Sequence, residues 1–219
     1  MNKLLSILVL AVLIFFTACD REIEEGQVDL GYDFQPLEIG LFWIYEVDQT
    51  THFGENDSEQ TLFFYKDRIR SIYTNEEGEA VYIVQRSKSS TNSAWSNVLE
   101  YTLIQRDRGL VRTIENQPLV SLVFPPKNGV VWNGYIYRNG SEDEFELISS
   151  GNSIRVNQEE SDDLVTYRDI RYEVYEKGVG LTEKYDEVLT YCSRNDCLGD
   201  MLIDSGFKIH MKLIENGKN

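Results

Sequence analysis

The sequence predicts an all-β protein, a single antiparallel meander of about ten strands that forms a curved sheet or a partly closed barrel. Three observations support this fold class. Apolar and polar residues alternate with a period of two, and short clusters of turn-forming residues separate the alternating runs. The thirteen tyrosines and ten phenylalanines also favour strands. Because the connections are short, we expect neighbouring strands to be antiparallel.

Residues 1–18 have the pattern of a cleaved signal peptide. Lys3 precedes an apolar run from Leu4 to Phe16 that only Ser6 interrupts. As a helix this run would rise roughly 20 Å, which is short of the roughly 30 Å hydrocarbon core of a bilayer. The length therefore indicates a signal peptide and not a membrane span.

Cys19 is the predicted site of lipid attachment. Phe16-Thr17-Ala18-Cys19 resembles a lipobox, in which the cysteine thiol receives a diacylglyceryl group and the cysteine becomes the mature N-terminus. Phe16 stands where leucine is commoner, but it is also apolar. Two or three acyl chains such as palmitate hold a protein stably, at about 0.8 kcal/mol per buried CH₂. The alternative is an ordinary secretory signal with an incidental cysteine.

Residues 19–33 are predicted to be a flexible tether, and 34–219 a single β-rich domain. Six residues between Asp20 and Asp33 are acidic and one is basic, with no helical or strand period. Self-repulsion favours an extended chain, at most roughly 50 Å long. A short first strand within 28–32 is the alternative.

The overall charge excludes nucleic acid as a partner. The formal net charge is −16, and loss of Lys3 with the signal peptide makes the mature chain one unit more negative. Nucleic acid and anionic lipid surfaces repel such a chain. We therefore expect contact with the membrane through the N-terminal lipid.

Within the domain, several runs show the period of two clearly. They are 43–48, 144–147, 154–157, 170–174 and 207–213. In each, we expect the apolar residues to pack on one face and the charged residues to lie on the wet face. The run from Leu119 to Phe124 is instead nearly apolar throughout. It predicts a strand covered on both faces, or alternatively the rim of a hydrophobic cavity.

Cys192 and Cys197 are predicted to form a disulfide. Export would place them in an oxidising compartment. The four polar residues between them suit a hairpin loop whose ends lie roughly 4.5–5.5 Å apart. Such a bridge would contribute about 2 kcal/mol to stability. A redox pair or half a metal site is the alternative, but the spacing is wrong for the usual redox motif, and we expect no metal.

No catalytic motif is found, so we predict no enzyme, no catalytic residue and no cofactor. His52 and His210 each share a strand face with charged residues and are expected to be exposed to solvent. G-x-S-x-G, H-E-x-x-H, P-loop and G-x-G-x-x-G motifs are all missing from the sequence. Paired-carboxylate glycosidase chemistry stays open, because the sequence does not select a pair of acids.

The segment 36–45, P-L-E-I-G-L-F-W-I-Y, resembles the P-L-x-x-G-x-x-W-x-Y opening of a family of Bacteroidota envelope lipoproteins. Weaker matches follow along the chain in the same order as in that family. They are 115–116 (E-N), 122–125 (L-V-F-P), 132–134 (W-N-G) and 178–181 (G-V-G-L). The resemblance implies a β-rich exported lipoprotein and brings no activity or catalytic residues. Physically, a turn at Pro36 and Gly40 would deliver Trp43 and Tyr45 to a core.

The acidic residues just after Cys19 resemble a surface-export signal of this phylum. In enterobacteria, Asp at this position would instead resemble an inner-membrane retention signal. With the family resemblance, the expected location is the outer membrane, on its periplasmic face or at the cell surface.

Two classes of function remain open. The preferred one is a non-catalytic binding or accessory subunit whose partner is an envelope protein or a glycan. The alternative is a tethered carrier or acceptor of an apolar ligand, which resembles periplasmic lipoprotein-carrier half-barrels. In that case the run Leu119–Phe124, Trp95 and Trp132 would line the cavity.

Replacement of Cys19 by Ala should release the protein from membranes, because it removes the thiol that carries the lipid. Membrane fractionation and the intact mass of the purified protein measure the effect. An unchanged mass and an unchanged membrane fraction would contradict the anchor.

Overall fold

The structure, a computed structural model, describes residues 29–54, 57–140 and 142–219. In these residues one turn of 3-10 helix, Tyr32–Phe34, precedes twelve strands. The strands are β1 (Leu41–Gly54), β2 (Asp57–Thr74), β3 (Ala80–Ser89), β4 (Ser96–Arg106), β5 (Gly109–Ile114), β6 (Gln117–Val123), β7 (Val130–Asn133), β8 (Glu144–Ser150), β9 (Ser153–Asp162), β10 (Tyr167–Glu176), β11 (Gly180–Tyr191) and β12 (Ile203–Lys218). The signal peptide and Cys19 lie outside the described residues.

All twelve strands belong to one antiparallel sheet, which confirms the predicted all-β meander and gives it two more strands than the ten expected. Strands β1 to β6 pair in chain order, as do β7 to β12, and β1 pairs with β12 in the middle. The two ends of the sheet are therefore β6 and β7, which follow each other in the chain. This arrangement brings the ends together into a nearly closed barrel.

We call the line between β6 and β7 the seam. The backbone N–H of Val120 donates to the carbonyl of Gly134 across it, at 2.9 Å. Two side chains donate to further carbonyls of β6: the indole of Trp132 to Val120 (2.8 Å) and the guanidinium of Arg138 to Pro118 (2.7 Å). Side chains thus complete a closure that backbone pairing begins, and they protect an edge that would otherwise be free to pair.

Gly134 allows the chain to pass close to the core at this point. A Cβ atom there would lie 2.4 Å from the ring of Phe145, which is fully buried. Any larger residue would push the segment after β7 away from the seam.

The barrel is flattened. Six strands lie between β5 and β10 along the sheet, yet Arg112 of β5 and Glu173 of β10 meet at 2.6 Å. A circular barrel of twelve strands would be roughly 20 Å across, too wide for this contact. The opposite walls therefore approach each other as two packed sheets do.

Residues 29–34 define what we call the near end of the barrel. Phe34 joins the core cluster, Tyr32 packs edge-on against Phe124, and Lys177 forms an ion pair with Asp29. This end of the interior is therefore covered. Residues 29–33, which the sequence assigns to the tether, lie against the barrel in these contacts. The opposite end, which carries the β5–β6, β9–β10 and β11–β12 connections, is the far end.

The predicted inward face is confirmed for most of the alternating runs. Trp43, Tyr45 and Val47 are buried in the core, as are Phe145 and Leu147. Gly40 forms the expected turn before β1, with a φ of 91° that suits glycine.

The predicted faces of β10 are wrong. The apolar positions Ile170, Tyr172 and Val174 were expected inside, but Glu173 and Tyr175 are the fully buried residues. The acid lies inside because side chains from other strands neutralise it, and a local pattern carries no information about such partners.

Replacement of Trp132 by Phe should lower the free energy of unfolding by about 1–3 kcal/mol, because it removes the hydrogen bond to the Val120 carbonyl at the seam. Urea unfolding measures the change. Trp95, in the β3–β4 connection and outside the seam, gives the matched control, and Trp95→Phe should cost less than about 0.5 kcal/mol. Equal losses in the two variants would contradict the account of the seam.

Candidate ligand-binding site

A layer of hydrogen-bonded charges crosses the interior. Arg112 donates to Glu173 at 2.6 Å, and the hydroxyl of Tyr175 donates to the second carboxylate oxygen at 2.6 Å. Lys184, which pairs in register with Glu173 on the next strand, approaches the same carboxylate at 3.5 Å. Glu173 is thus satisfied from both sides, as a buried charge has to be.

These partners keep Glu173 ionised. Burial by itself raises the pKa of the Glu173 carboxyl. The positive charges of Arg112 and Lys184, with the hydrogen bonds from Arg112 and Tyr175, outweigh burial and lower the pKa to about 2. Burial and the charge of Glu173 together raise the pKa of Tyr175, so its phenol stays protonated as the donor.

Between this layer and the near end, the interior is filled by side chains. The cavity bounded by Trp43, Tyr45, Tyr101 and Leu181 measures about 20 Å³, whereas a site for a drug-sized ligand measures about 300–1,000 Å³. Within the described residues, the middle of the barrel therefore has no room for the apolar ligand of the carrier hypothesis.

On the far side of the layer the interior opens into a cavity of about 590 Å³, which we call the mouth pocket. Arg112 and Gln158 lie deepest in it, and the aromatic ring of Phe207 lies at its exposed rim. Its lining is Arg112, Ile114, Glu115, Gln117, Leu119, Tyr135, Arg138, Gln158, Asp169, Arg171, Lys184, Asp186, Val188 and Phe207. The mouth of a β-barrel is a common place for a small-molecule site.

Alternation along the strands explains how the pocket forms. Arg112 and Ile114 of β5 share the inward face with the core residue Leu110. Gln158 of β9 likewise continues the inward row that begins with Ile154 and Val156. The inward row of β9 is thus apolar first and becomes polar towards the far end, whereas on β5 the polar Arg112 lies between the apolar Leu110 and Ile114.

Within the part of the chain that the structure describes, three buried atoms of the pocket lining have no hydrogen-bond partner: Arg112 Nε, Gln158 Nε2 and Asp186 Oδ1. Gln158 is 5% exposed and Arg112 is 9% exposed. An unsatisfied buried polar group costs about 1–3 kcal/mol. Two free donors and one free acceptor in one pocket are therefore the strongest indication of a ligand.

A second cavity, of about 670 Å³, lies along the seam and is called the seam groove. Val111, Val120 and Val123 form one wall, and Trp132 and Tyr137 form the other. Because Leu110 and Arg112 point inward, Val111 between them points outward, and the groove lies on the outer side of β5.

The run Leu119–Phe124 shows both features that the sequence offered as alternatives. Leu122 is fully buried in the core, Leu119 lines the mouth pocket, and Val120 and Val123 line the seam groove. Trp132 borders the seam groove as the carrier hypothesis expected, but on the outside of the barrel. Trp95 lies in the β3–β4 connection and lines neither cavity.

Cys192 and Cys197 lie at disulfide distance, with Cα atoms 5.9 Å apart. The expected hairpin is present, since β11 and β12 are antiparallel neighbours, but its loop is longer than the four residues between the cysteines. Both cysteines follow β11 and precede β12, and the chain turns between them where the N–H of Cys197 donates to the carbonyl of Arg194. This loop belongs to the far end and does not line the mouth pocket.

The two histidines lie outside both cavities. His210 is half-buried rather than exposed, and its Nε2 lies 2.7 Å from Glu183 Oε1. His52 is also half-buried. Among the described residues, no group of three or more His, Cys, Asp or Glu side chains is arranged to hold a metal ion.

This chain is similar in fold to a solved structure. No family model matches the chain, and no curated protein matches it. A Bacteroides fragilis protein assigned as exported, with a YmcC-like fold, is similar at 9% identity and a TM-score of 0.44, over 84% of this chain and 99% of that chain. At these values the likeness carries no argument about function, and the lipoprotein resemblance stays a prediction. In the described part of this chain, no helix has the length and apolar character needed to cross a bilayer.

Replacement of Glu173 by Gln should lower the free energy of unfolding at pH 7 by about 3–5 kcal/mol, because it leaves Arg112 as an uncompensated buried charge. The folded-state pKa of Glu173, about 2, lies below the unfolded value of 4.5. Its contribution is therefore present above about pH 4.5 and is lost as the pH falls towards 2. Urea unfolding at pH 7, 5 and 3 should show the difference between wild type and variant shrinking as the pH falls.

Glu146, exposed on β8, provides the control for this measurement. Glu146→Gln should change stability by less than about 0.5 kcal/mol at each pH. A wild-type advantage over Glu173→Gln that stays constant from pH 7 to pH 3 would contradict the ionised carboxylate.

Proposed function

We propose that this protein is a lipid-anchored cell-envelope protein that binds a ligand without catalysis, as a binding or accessory subunit, and that the ligand lies in the mouth pocket. The observation that carries the proposal is the set of three unpartnered buried atoms in that pocket. The lipobox pattern ending at Cys19 supports the location in the envelope, with the outer membrane favoured by the family resemblance.

The composition of the pocket supports binding rather than catalysis. Its lining contains no Ser, Cys or His to serve as a nucleophile with its base. The carboxylates of Asp169 and Asp186 each form an ion pair, with Arg171 at 2.7 Å and with Lys184 at 3.0 Å. Each carboxylate is therefore already engaged by a cation, which suits contacts to a bound ligand better than general acid–base catalysis.

The carrier of an apolar ligand remains the second candidate, and the seam groove supports it. The wall of the groove is mainly apolar, and Ile136 and Tyr137 are 63% and 51% exposed at its edge. Exposed apolar side chains beside a groove are typical of a binding surface. The ligand would then lie outside the barrel rather than within it.

The compounds that stay bound to protein purified from its native membrane test the proposal. The full-length protein is purified in a detergent without a sugar head group and extracted, and the extract is analysed by mass spectrometry. Val188→Phe fills part of the mouth pocket, and Val98→Phe changes an exposed residue of β4 as the matched control. We expect a compound that the wild type and Val98→Phe retain and that Val188→Phe loses.

Two results would contradict this assignment. If no compound stays with the wild type above the level in Val188→Phe, the mouth pocket is not the binding site. If Val188→Phe and the wild type retain the same amount of an apolar compound, the seam groove and the carrier function are favoured instead.

A further inference from the structure

We infer that the mouth pocket takes a neutral, hydroxyl-rich ligand with a hydrocarbon face, that is, a sugar unit of a glycan, and not an anion, a cation or a zwitterion. The inference rests on the proposed function, because it specifies the ligand of the same pocket. Three properties of the pocket carry it: the unpartnered atoms, the balance of charge and the apolar part of the wall.

The unpartnered atoms require a ligand that both accepts and donates hydrogen bonds. Arg112 Nε and Gln158 Nε2 are donors, whereas Asp186 Oδ1 is an acceptor. A metal cation could contact Asp186 but would leave both donors unsatisfied. A simple anion could satisfy the donors but would face the carboxylate of Asp186. A hydroxyl group does both, since it donates one hydrogen bond and accepts two.

The charges of the pocket are already balanced. Three cations of the lining form ion pairs: Arg112 with Glu173 (2.6 Å), Arg171 with Asp169 (2.7 Å) and Lys184 with Asp186 (3.0 Å). The fourth cation, Arg138, is matched in the lining by Glu115, and its guanidinium lies 3.9 Å from the ring centre of Tyr135. With the layer below included, four cations meet four carboxylates, so no excess positive charge is left to hold an anion.

A zwitterion could contact both kinds of free atom, but its burial would be costly. Taking a charge out of water costs several kcal/mol per ion even in a relaxed protein, and this cost is recovered only by charges that are free to pair. In the mouth pocket three of the four cations already have an ion-pair partner, and Arg138 donates to the carbonyl of Pro118. A hydroxyl group costs about 1–3 kcal/mol to bury and recovers it through hydrogen bonds.

Part of the wall is hydrocarbon. Ile114, Leu119 and Val188 lie in the lining, and the ring of Phe207 is 37% exposed at the rim. A sugar ring presents hydroxyl groups around its edge and C–H groups on its faces, so it matches polar atoms and an apolar wall in the same pocket. A volume of about 590 Å³ lies within the usual range for small-molecule sites.

Titration of the full-length protein with three sets of probes tests the inference. The sets are neutral di- and trisaccharides, the corresponding uronic-acid saccharides, and dipeptides, each measured by calorimetry in the sugar-free detergent. We expect at least one neutral saccharide to saturate the protein and to bind more tightly than its uronic-acid counterpart. Its dissociation constant should change less than about twofold between about 50 and about 500 mM NaCl, because the contact involves no net charge.

Gln158→Leu should weaken binding of that saccharide about 5–10-fold, since it removes one neutral hydrogen bond at nearly constant volume. Gln60→Leu, on the exposed outer part of β2, is the matched control and should bind as the wild type does. The folded state of both variants is checked by their unfolding transitions.

The outcomes distinguish an error in the ligand class from an error in the binding site. Saturation by uronic-acid saccharides or dipeptides alone, with loss of binding in Val188→Phe, would overturn the ligand class and leave the mouth pocket as the site. If no neutral saccharide saturates the protein, the ligand class is also overturned, whether or not the native protein carries another compound. Equal binding of a neutral saccharide by the wild type, Val188→Phe and Gln158→Leu would overturn the site itself.

Discussion

The ion pair between Arg112 and Glu173 is the interaction on which the rest of this structure depends. It joins two strands, β5 and β10, that lie on opposite walls of a twelve-stranded barrel. A guanidinium nitrogen of Arg112 lies 2.6 Å from a carboxylate oxygen of Glu173. An open cylinder of this strand number would leave a wet lumen. Because the pair spans the interior, the walls close in and a packed core fills one side of it. A buried pair of this kind defines one arrangement of the walls more than it adds stability.

The same pair separates two environments. On the near side, Trp43, Tyr45 and Tyr175 fill the interior and leave about 20 Å³. On the far side, the inward rows combine polar residues such as Arg112 and Gln158 with apolar ones and enclose about 590 Å³. Arg112 belongs to both, since one of its nitrogens holds Glu173 and Nε has no partner. The floor of the mouth pocket is therefore built from the interaction that shapes the barrel.

The strands could be predicted from the sequence because their period of two is local, as Phe145 and Leu147 show. The pairing of β1 with β12 and the closure at the seam could not, because they join residues far apart in the chain. Arg112 did carry a signal: it shares its strand face with Leu110 and Ile114, so it is a charged residue in an apolar row. Glu173 carried no such signal, because the alternation of its neighbours on β10 predicted that it would lie on the wet face of the sheet. The mouth pocket takes its residues from six strands and two connections, and no motif in the sequence unites them.

The central claim is that the three unpartnered atoms of the mouth pocket hold a ligand. A crystal structure of the protein purified from its native membrane tests this most directly. The account predicts continuous electron density for an organic molecule within hydrogen-bond distance of Arg112 Nε and Gln158 Nε2, with Asp186 Oδ1 accepting from the same molecule. Separate ordered waters on these three atoms, in protein never exposed to a competing sugar, would contradict it, because water would then satisfy the pocket by itself.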